Sequence, residues 1–221
     1  MKTQLISYTI PNKEVFDDED TPNDLIAFCA RVSNPSNQNN KETSDKLIKY
    51  LIDNAHWSPL EMVDATVEIE TTRDIGRQIL RHRSFSFQEF SQRYADPTKS
   101  LEFDIRECRL QDTKNRQNSI EIDNDELKEE WKRQQKFMIK EALSTYRWAI
   151  EHGIAKEQAR AVLPEGLTMS RMYMKGSLRS WIHYIDLRTG NGTQKEHREV
   201  AIGCANEISK IFPLIKTYLG E

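Results

Sequence analysis

The chain has 221 residues, a formal net charge of −3 and 30% charged residues, the profile of a soluble globular protein long enough to bury a real core. That balance argues against a dedicated nucleic-acid binder, whose phosphate contacts need a basic surplus, but leaves room for a local basic pocket. No segment approaches the roughly 20 apolar residues of a membrane span, and the opening MKTQLISYTIPNKEVF has no run suited to a signal peptide, so a cytoplasmic protein is expected.

In chain order, TPNDLIAFCARVS predicts a helix capped by Thr21, with Leu25, Phe28, Cys29 and Val32 on one stripe. TSDKLIKYLIDNAH predicts a second amphipathic helix. SPLE fits a capping box, with Ser58 as the cap, Pro59 at the first helical position and Glu61 three residues on. Val63, Ala65, Val67 and Ile69 alternate with Asp64, Thr66, Glu68 and Glu70, the period of a half-buried strand. TTRDIGRQILRHR returns to helical spacing, with Ile75, Ile79 and His82 facing inward. Leu101, Phe103 and Ile105 alternate with acids and predict a further strand, while the polar stretch 111–124 reads as an exposed loop or insertion. Asp125 to His152 predicts a long helix ended by Gly153. EQARAVLP is a short helix stopped by Pro164, TMSRMYMKG a strand, SLRSWIHYIDLR a helix, and TQKEHREVAIGCANEISKIFPLI a last helix broken near Pro213. The mixture is α+β in a single domain, 1–221, without regular βαβ alternation.

The stretch RHRSFSFQEFSQRY, Arg81 to Tyr94, concentrates the chemistry. On a helix, Gln78, Arg81 and His82 share a face. If the chain becomes extended after Arg83, then Glu89, Ser91 and Arg93 project to one side. Guanidinium forks match phosphate oxygens bidentately, a carboxylate accepts from sugar hydroxyls, and Phe or His stacks on a flat ring. Phosphate, sugar and ring together describe a nucleotide. A solvated helix end and a surface ion pair would explain one Arg–Glu pair as well. Five arginines between Arg73 and Arg93, interleaved with Phe, His and Ser, keep a nucleotide pocket open beside that plainer reading.

RHRSFSFQEFS also fits Arg-His-Arg, seven residues, then Ser, and here the chain resembles the flavin-dependent thymidylate synthases. HWSP at His56 to Pro59, Gln78, SQRY, ARAVLP at Ala159 to Pro164, LRSWIHYIDLR and TQKEHR fit the same family in order, from His56 to Arg198. The resemblance implies an α+β fold of mixed helices and an antiparallel-rich sheet, assembled as a homotetramer with FAD between subunits. It implies conversion of dUMP to dTMP with methylenetetrahydrofolate as carbon donor and NADPH as reductant. Carried over by position, Ser58, Arg81, His82, Arg83 and Glu89 would contact FAD, as would Ser177, Leu178, Arg179 and His183. Gln78, Arg81, Glu89, Ser91, Arg93, Arg160 and Arg188 would surround dUMP, completed by groups from more than one chain.

Arg188 is the residue expected to be catalytic, because in the family that position touches the uracil ring. A fixed cation beside N3 and its carbonyl favours the ring anion and raises electron density at C5. Without the family match, the same arginine reads as a complement to a helix C-terminus. Ser91 is expected to bind phosphate; a nucleophilic serine activated by Glu89 is the alternative. Cys29, Cys108 and Cys204 form no pair or CxxC and are expected to be structural. The histidines show no metal-ligand spacing, so no metal is expected; His56 and His82 are expected at the flavin. Gln88, Ser177, His183 and Gly192 depart from side chains frequent in the family, which bears on FAD affinity and folate access. A binding module for a nucleotide or RNA, built on the same arginines, is the competing class, though no RNP or GXXG pattern is present.

Overall fold

Residues 1–219 are described by a computed structural model; positions 220 and 221 of the expected single domain lie outside them. The helices are α1 (Pro22–Ala30), α2 (Ser44–Asp53), α3 (Arg73–Ile79), α4 (Pro97–Ser100), α5 (Asp125–Glu151), α6 (Lys156–Ala159), α7 (Leu178–Thr189) and α8 (Lys195–Ile208). The strands are β1 (Lys2–Tyr8), β2 (Asp64–Thr72), β3 (Ser86–Glu89), β4 (Arg109–Gln111), β5 (Ser119–Glu121) and β6 (Met169–Ser177). Four strands form an antiparallel sheet in the order β1-β2-β6-β3, so the α+β reading with an antiparallel sheet holds.

Alternation in β2 and β6 decides which face is covered. Val67, Ile69, Met172 and Met174 are fully buried and pack with Ile185, Val200, Cys204 and Ile208 of α7 and α8. The opposite face is polar and carries cross-strand ion pairs, Lys175 with Asp64 at 2.9 Å and Arg171 with Glu70. Trp181, buried on α7, donates its indole N–H to the Ala65 carbonyl at 3.1 Å, which satisfies the ring's polar atom and pins α7 to β2.

Thr21 caps α1 in a full capping box with Asp24, as expected. α5 starts on the Asn124 side chain, which accepts from the Leu127 N–H at 3.0 Å, and ends at His152, where Gly153 takes φ of 77°. Other expectations are corrected. Val32 lies beyond α1 and is 68% exposed, so it is not on that helix's inner stripe. SPLE is a short 3-10 turn, Ser58–Met62, with no side-chain cap bond, so no capping box forms. Around Leu101–Ile105 there is only an isolated bridge, Phe103 to Thr168. The stretch 111–124 includes a small hairpin, β4 with β5, because the Asp112 carboxylate accepts the Lys114 and Asn115 N–H groups and closes the turn. The last helix stops at Ile208, five residues before Pro213. β1 had no counterpart in the sequence reading; it is an edge strand, mostly exposed, paired to β2.

Candidate active site

The Arg-His-Arg segment is placed by a packing constraint. A Cβ on Gly176 would lie 2.5 Å from Phe85 Cδ1, so only glycine lets the Phe85 ring lie flat on β6. Phe85 also meets Trp181 edge-on at 4.9 Å. These contacts lock the turn after α3 beside α7. The helix ends at Ile79, and Arg81 and His82 follow in tight turns, Arg81 N–H to Gln78 O at 3.3 Å and His82 N–H to Ile79 O at 3.0 Å. The shared helical face expected for Gln78, Arg81 and His82 therefore does not exist, although all three stay adjacent at the end of α3.

Arg188, in the last turn of α7, donates from Nε to His82 Nε2 at 2.9 Å. An imidazole that accepts there is neutral, and burial, with Arg188 and Arg81 beside it, pushes His82 down to about 4. His82 meets Tyr184 edge-on at 4.9 Å, and the buried His197 completes a triangle with them, 5.8 Å from Tyr184 and 6.2 Å from His82. His197 is pushed down to about 3 by burial and by the neighbouring Arg188 and His82. Gln78 closes the group, its Oε1 3.2 Å from His197 Nδ1 and its Nε2 2.8 Å from Gln194 Oε1.

Glu89, at the end of β3, accepts from Ser170 Oγ at 2.9 Å and pairs with Arg77 at 3.4 Å and Arg73 at 3.6 Å. The strand does not continue: Ser91 opens a turn whose carbonyl accepts from Tyr94 and Ala95, so the expected row of Glu89, Ser91 and Arg93 on one side is not formed. Ser91 and Arg93 instead line a cavity of about 470 Å³ with Tyr94, Ala155, Lys156 and Glu157. There Glu157 pairs with Arg93 at 3.4 Å, and Lys156 donates to the Tyr94 carbonyl at 3.0 Å. Arg160 begins the 3-10 turn that follows α6. Neither Arg160 nor Arg188 lines the Arg93 cavity in this chain.

A third group gathers at the start of α7. Ser177 caps the helix, Arg179 pairs with Glu61 at 2.8 Å, and His183 meets Trp57 edge-on at 4.4 Å, next to Ser58. Hydrogen bonding to Ser177, with Arg179 close by, holds the Glu61 carboxyl below its usual range. Burial, then Arg179, pushes His183 down. The Leu178 side chain is in the core and its N–H donates to Val63 O at 2.8 Å, so any cofactor contact it makes is through backbone. His56 is exposed, edge-on to Tyr50 at 6.2 Å. Arg81, Arg83, Arg160 and Arg188 pair with no carboxylate among the described residues.

Sequence reasoning passed over Tyr184, Gln194, His197, Lys156 and Glu157. Gln194 and His197 lay inside TQKEHR, and Tyr184 inside LRSWIHYIDLR, where the motif itself was the available signal. Lys156 and Glu157 precede ARAVLP, separated from it by Gln158, and carried none.

Against this geometry stands a family model described as thymidylate synthase complementing protein, which matches residues 14–214. The chain belongs to this family, that of the flavin-dependent thymidylate synthases. It is 48% identical over 220 residues to a flavin-dependent thymidylate synthase of Synechocystis sp., covering 99% of each chain. A probable flavin-dependent thymidylate synthase of Paramecium bursaria Chlorella virus 1 is 46% identical over 215 residues, 97% of each. The fold is also that of a UMP/dUMP methylase, PolB, from Streptomyces cacaoi, solved with 5-Br dUMP: the TM-score is 0.78 at 24% identity, covering 98% of this chain and 93% of that one. For a flavin-dependent thymidylate synthase the FAD requirement is part of the family, and the residues fit it in kind. Arg81 and Arg83 are cations with no carboxylate partner among the described residues, suited to a pyrophosphate, and Ser177, Arg179 and the Trp57–His183 rings add hydroxyl, cation and flat surfaces.

Proposed function

We propose that this protein converts dUMP to dTMP by reductive methylation, with methylenetetrahydrofolate as carbon donor and NADPH as reductant of FAD. It does so as a cytoplasmic homotetramer built from one domain, 1–221. One observation carries the reading: a neutral His82 accepts from Arg188 Nε, leaving the two terminal nitrogens of the guanidinium for a ligand beside Gln78. A cation held in that way, facing a pyrimidine carbonyl and N3, stabilises the ring anion as charge develops at C5. Its position costs no rearrangement during reaction, because burial keeps His82 an acceptor throughout the neutral range.

Ser91 and Arg93 take the phosphate of dUMP, with Arg160 joining them in the assembled enzyme. Serine catalysis by a neighbouring base is disfavoured, since the Glu89 carboxylate is already engaged by Ser170, Arg77 and Arg73. Gln78 faces the pyrimidine ring, and Arg81 and Glu89 fill the space between the phosphate and ring sites. Ser58, Arg81, His82, Arg83, Glu89, Ser177, Arg179 and His183, with the Leu178 backbone, hold FAD. FAD, when bound, supplies the hydride that completes the methyl group.

Self-association is supported by α5, about 40 Å long over its 27 residues, which leaves Trp131, Phe137, Met138 and Trp148 each more than 40% exposed. A cytoplasmic setting is supported by three free cysteines, and no helix among the described residues is long and apolar enough to cross a membrane. The purified protein is expected to be yellow, to bleach under NADPH without oxygen, and to recover colour on adding dUMP and methylenetetrahydrofolate with formation of dTMP. A colourless protein that refuses added FAD and makes no dTMP overturns the reading. Light scattering at the mass of four chains checks the assembly.

A further inference from the structure

Side chains of TQKEHR take part in a directed hydrogen-bond chain that passes through Gln78 and ends on the buried Tyr184 hydroxyl. Its origin is Glu196, which pairs with Arg109 and, at 3.4 Å, with Arg106 and is held ionised by them. An ionised carboxylate only accepts, so the Gln194 amide must turn its Nε2 toward Glu196, and it does at 2.9 Å. That leaves Gln194 Oε1 as an acceptor, met by Gln78 Nε2 at 2.8 Å. Gln78 must therefore present Oε1 on its other side, where His197 Nδ1 stands at 3.2 Å. An amide oxygen cannot donate, so Nδ1 carries the proton of a neutral His197 and Nε2 carries the lone pair. The Tyr184 hydroxyl, 3.2 Å from Nε2 and buried with it, donates to that lone pair.

Every member of the chain has one allowed orientation. Flipping Gln78 would set oxygen against oxygen at Gln194, whichever tautomer His197 takes. Flipping Gln194 as well would set its oxygen against the Glu196 carboxylate. Gln78 is thus left with one free N–H and one free lone pair in a fixed arrangement.

We infer that His197, whose Nδ1–H meets Gln78 Oε1 in a chain whose direction is set by Glu196, is a positioning residue that helps lock the Gln78 amide and thereby selects uracil over cytosine nucleotides. This rests on the reading that Gln78 faces the pyrimidine of dUMP. Uracil offers a carbonyl at C4 and an N–H at N3; cytosine offers an amino group and a bare nitrogen in the same places. A rotatable amide can serve either base by turning over. A locked one serves only the base whose pattern complements it, and the other leaves buried polar groups opposed. The enzyme would then need no separate device to reject the amino-pyrimidine.

The test measures binding of dUMP and dCMP to the FAD-loaded enzyme by calorimetry, with kcat and KM for dUMP. Wild type should bind dUMP; if it binds neither nucleotide, the placing of Gln78 at the pyrimidine fails and this inference falls with it, a result distinct from those below. His197→Leu alone strands the Tyr184 hydroxyl, so the paired variant Tyr184→Phe/His197→Leu is used with it, since removing both partners leaves no buried donor unmet. In the paired variant dUMP should bind about 5- to 10-fold more weakly, the loss of one oriented bond, and the preference for dUMP over dCMP should shrink by about 10-fold or more. His197→Asn, whose amide N–H replaces the Nδ1 donor, should restore most of the preference. A paired variant that keeps its FAD and its melting temperature yet shows an unchanged preference overturns the inference. So does a fall in kcat and melting temperature with no change in nucleotide preference, which is what a merely structural histidine would give.

Discussion

Mild acid should destabilise this protein well before its carboxylates titrate, and most of the effect follows from two imidazoles, with His183 adding a smaller share. His197 is fully buried and is pushed down to about 3, while the half-buried His82 is pushed down to about 4. In the unfolded chain both take up a proton near pH 6.5. Below that pH the unfolded state binds more protons than the native one, so stability falls as pH falls. The loss begins near pH 6.5 and runs until about 4 for His82 and about 3 for His197. Each imidazole held neutral contributes a slope of about 1.4 kcal/mol per pH unit. From pH 6.5 to 5 that is roughly 2 kcal/mol for His197; His82, discounted by about half for its solvent contact, adds roughly 1 kcal/mol. For a chain of this length a loss of about 3 kcal/mol lowers Tm by roughly 6–12 °C. Carboxylates held below their usual range, such as Glu61 and Glu207, respond only below their ordinary values, so the window from pH 6.5 to 5 isolates the histidines. Thermal melts at pH 7, 6 and 5 of the wild type and of Tyr184→Phe/His197→Leu measure the effect. The variant should lose about two thirds of the slope. Parallel pH dependence in the two proteins refutes the reasoning.

Other perturbations separate the parts of the site. Arg188→Lys keeps a charge but not the fork or the Nε bond to His82, and kcat should fall about 100- to 1,000-fold with dUMP affinity within a few-fold; single-turnover kinetics checks it, and an unchanged rate speaks against electrostatic catalysis there. Glu157→Gln removes the carboxylate that occupies Arg93 in its cavity, and since the pair is exposed, KM for dUMP should drop only about 2- to 5-fold; a rise in KM would show that Glu157 supports the site rather than competes for it. Gly176→Ala drives a methyl group into Phe85, so about 1–3 kcal/mol should be lost in denaturant titration together with FAD affinity, and a neutral result would mean the Phe85 turn is free to shift. Ser91→Ala should weaken dUMP binding while turnover stays measurable, and loss of all product with intact affinity would instead favour a nucleophile.

Local rules carried the framework far. The period-two pattern of β2, the Thr21 cap of α1 and the glycine stop of α5 all have physical signs within a few residues, and all are found. β1 escaped because an edge strand exposed on most positions needs no alternation, and its partner lies some sixty residues away in sequence. The 111–124 hairpin escaped for a different reason: its turn is held by one aspartate side chain gathering backbone N–H groups, which composition alone reads as loop. The strand expected after Arg83 stops at Glu89 because Ser91 begins a turn, a break that the alternation of charged and polar residues does not record.

The same distinction governs the site. Family motifs mark residues that meet a ligand, and they located the arginines. They say nothing of which protein group holds each one, because those partners are set by tertiary contact: His82 with Arg188 across 106 positions, Gln78 with His197 across 119. The cationic side chains consequently fall into two groups within one chain, one around Gln78, His82 and Arg188 and one around Ser91, Arg93 and Lys156, with β3 and the turn that follows it between them in sequence. In the proposed homotetramer a neighbouring chain would bring a second copy of one group against the other, so that a single pyrimidine monophosphate meets both. Catalysis and assembly are then one property of this sequence, and a monomeric variant should lose dUMP affinity even with every named residue intact.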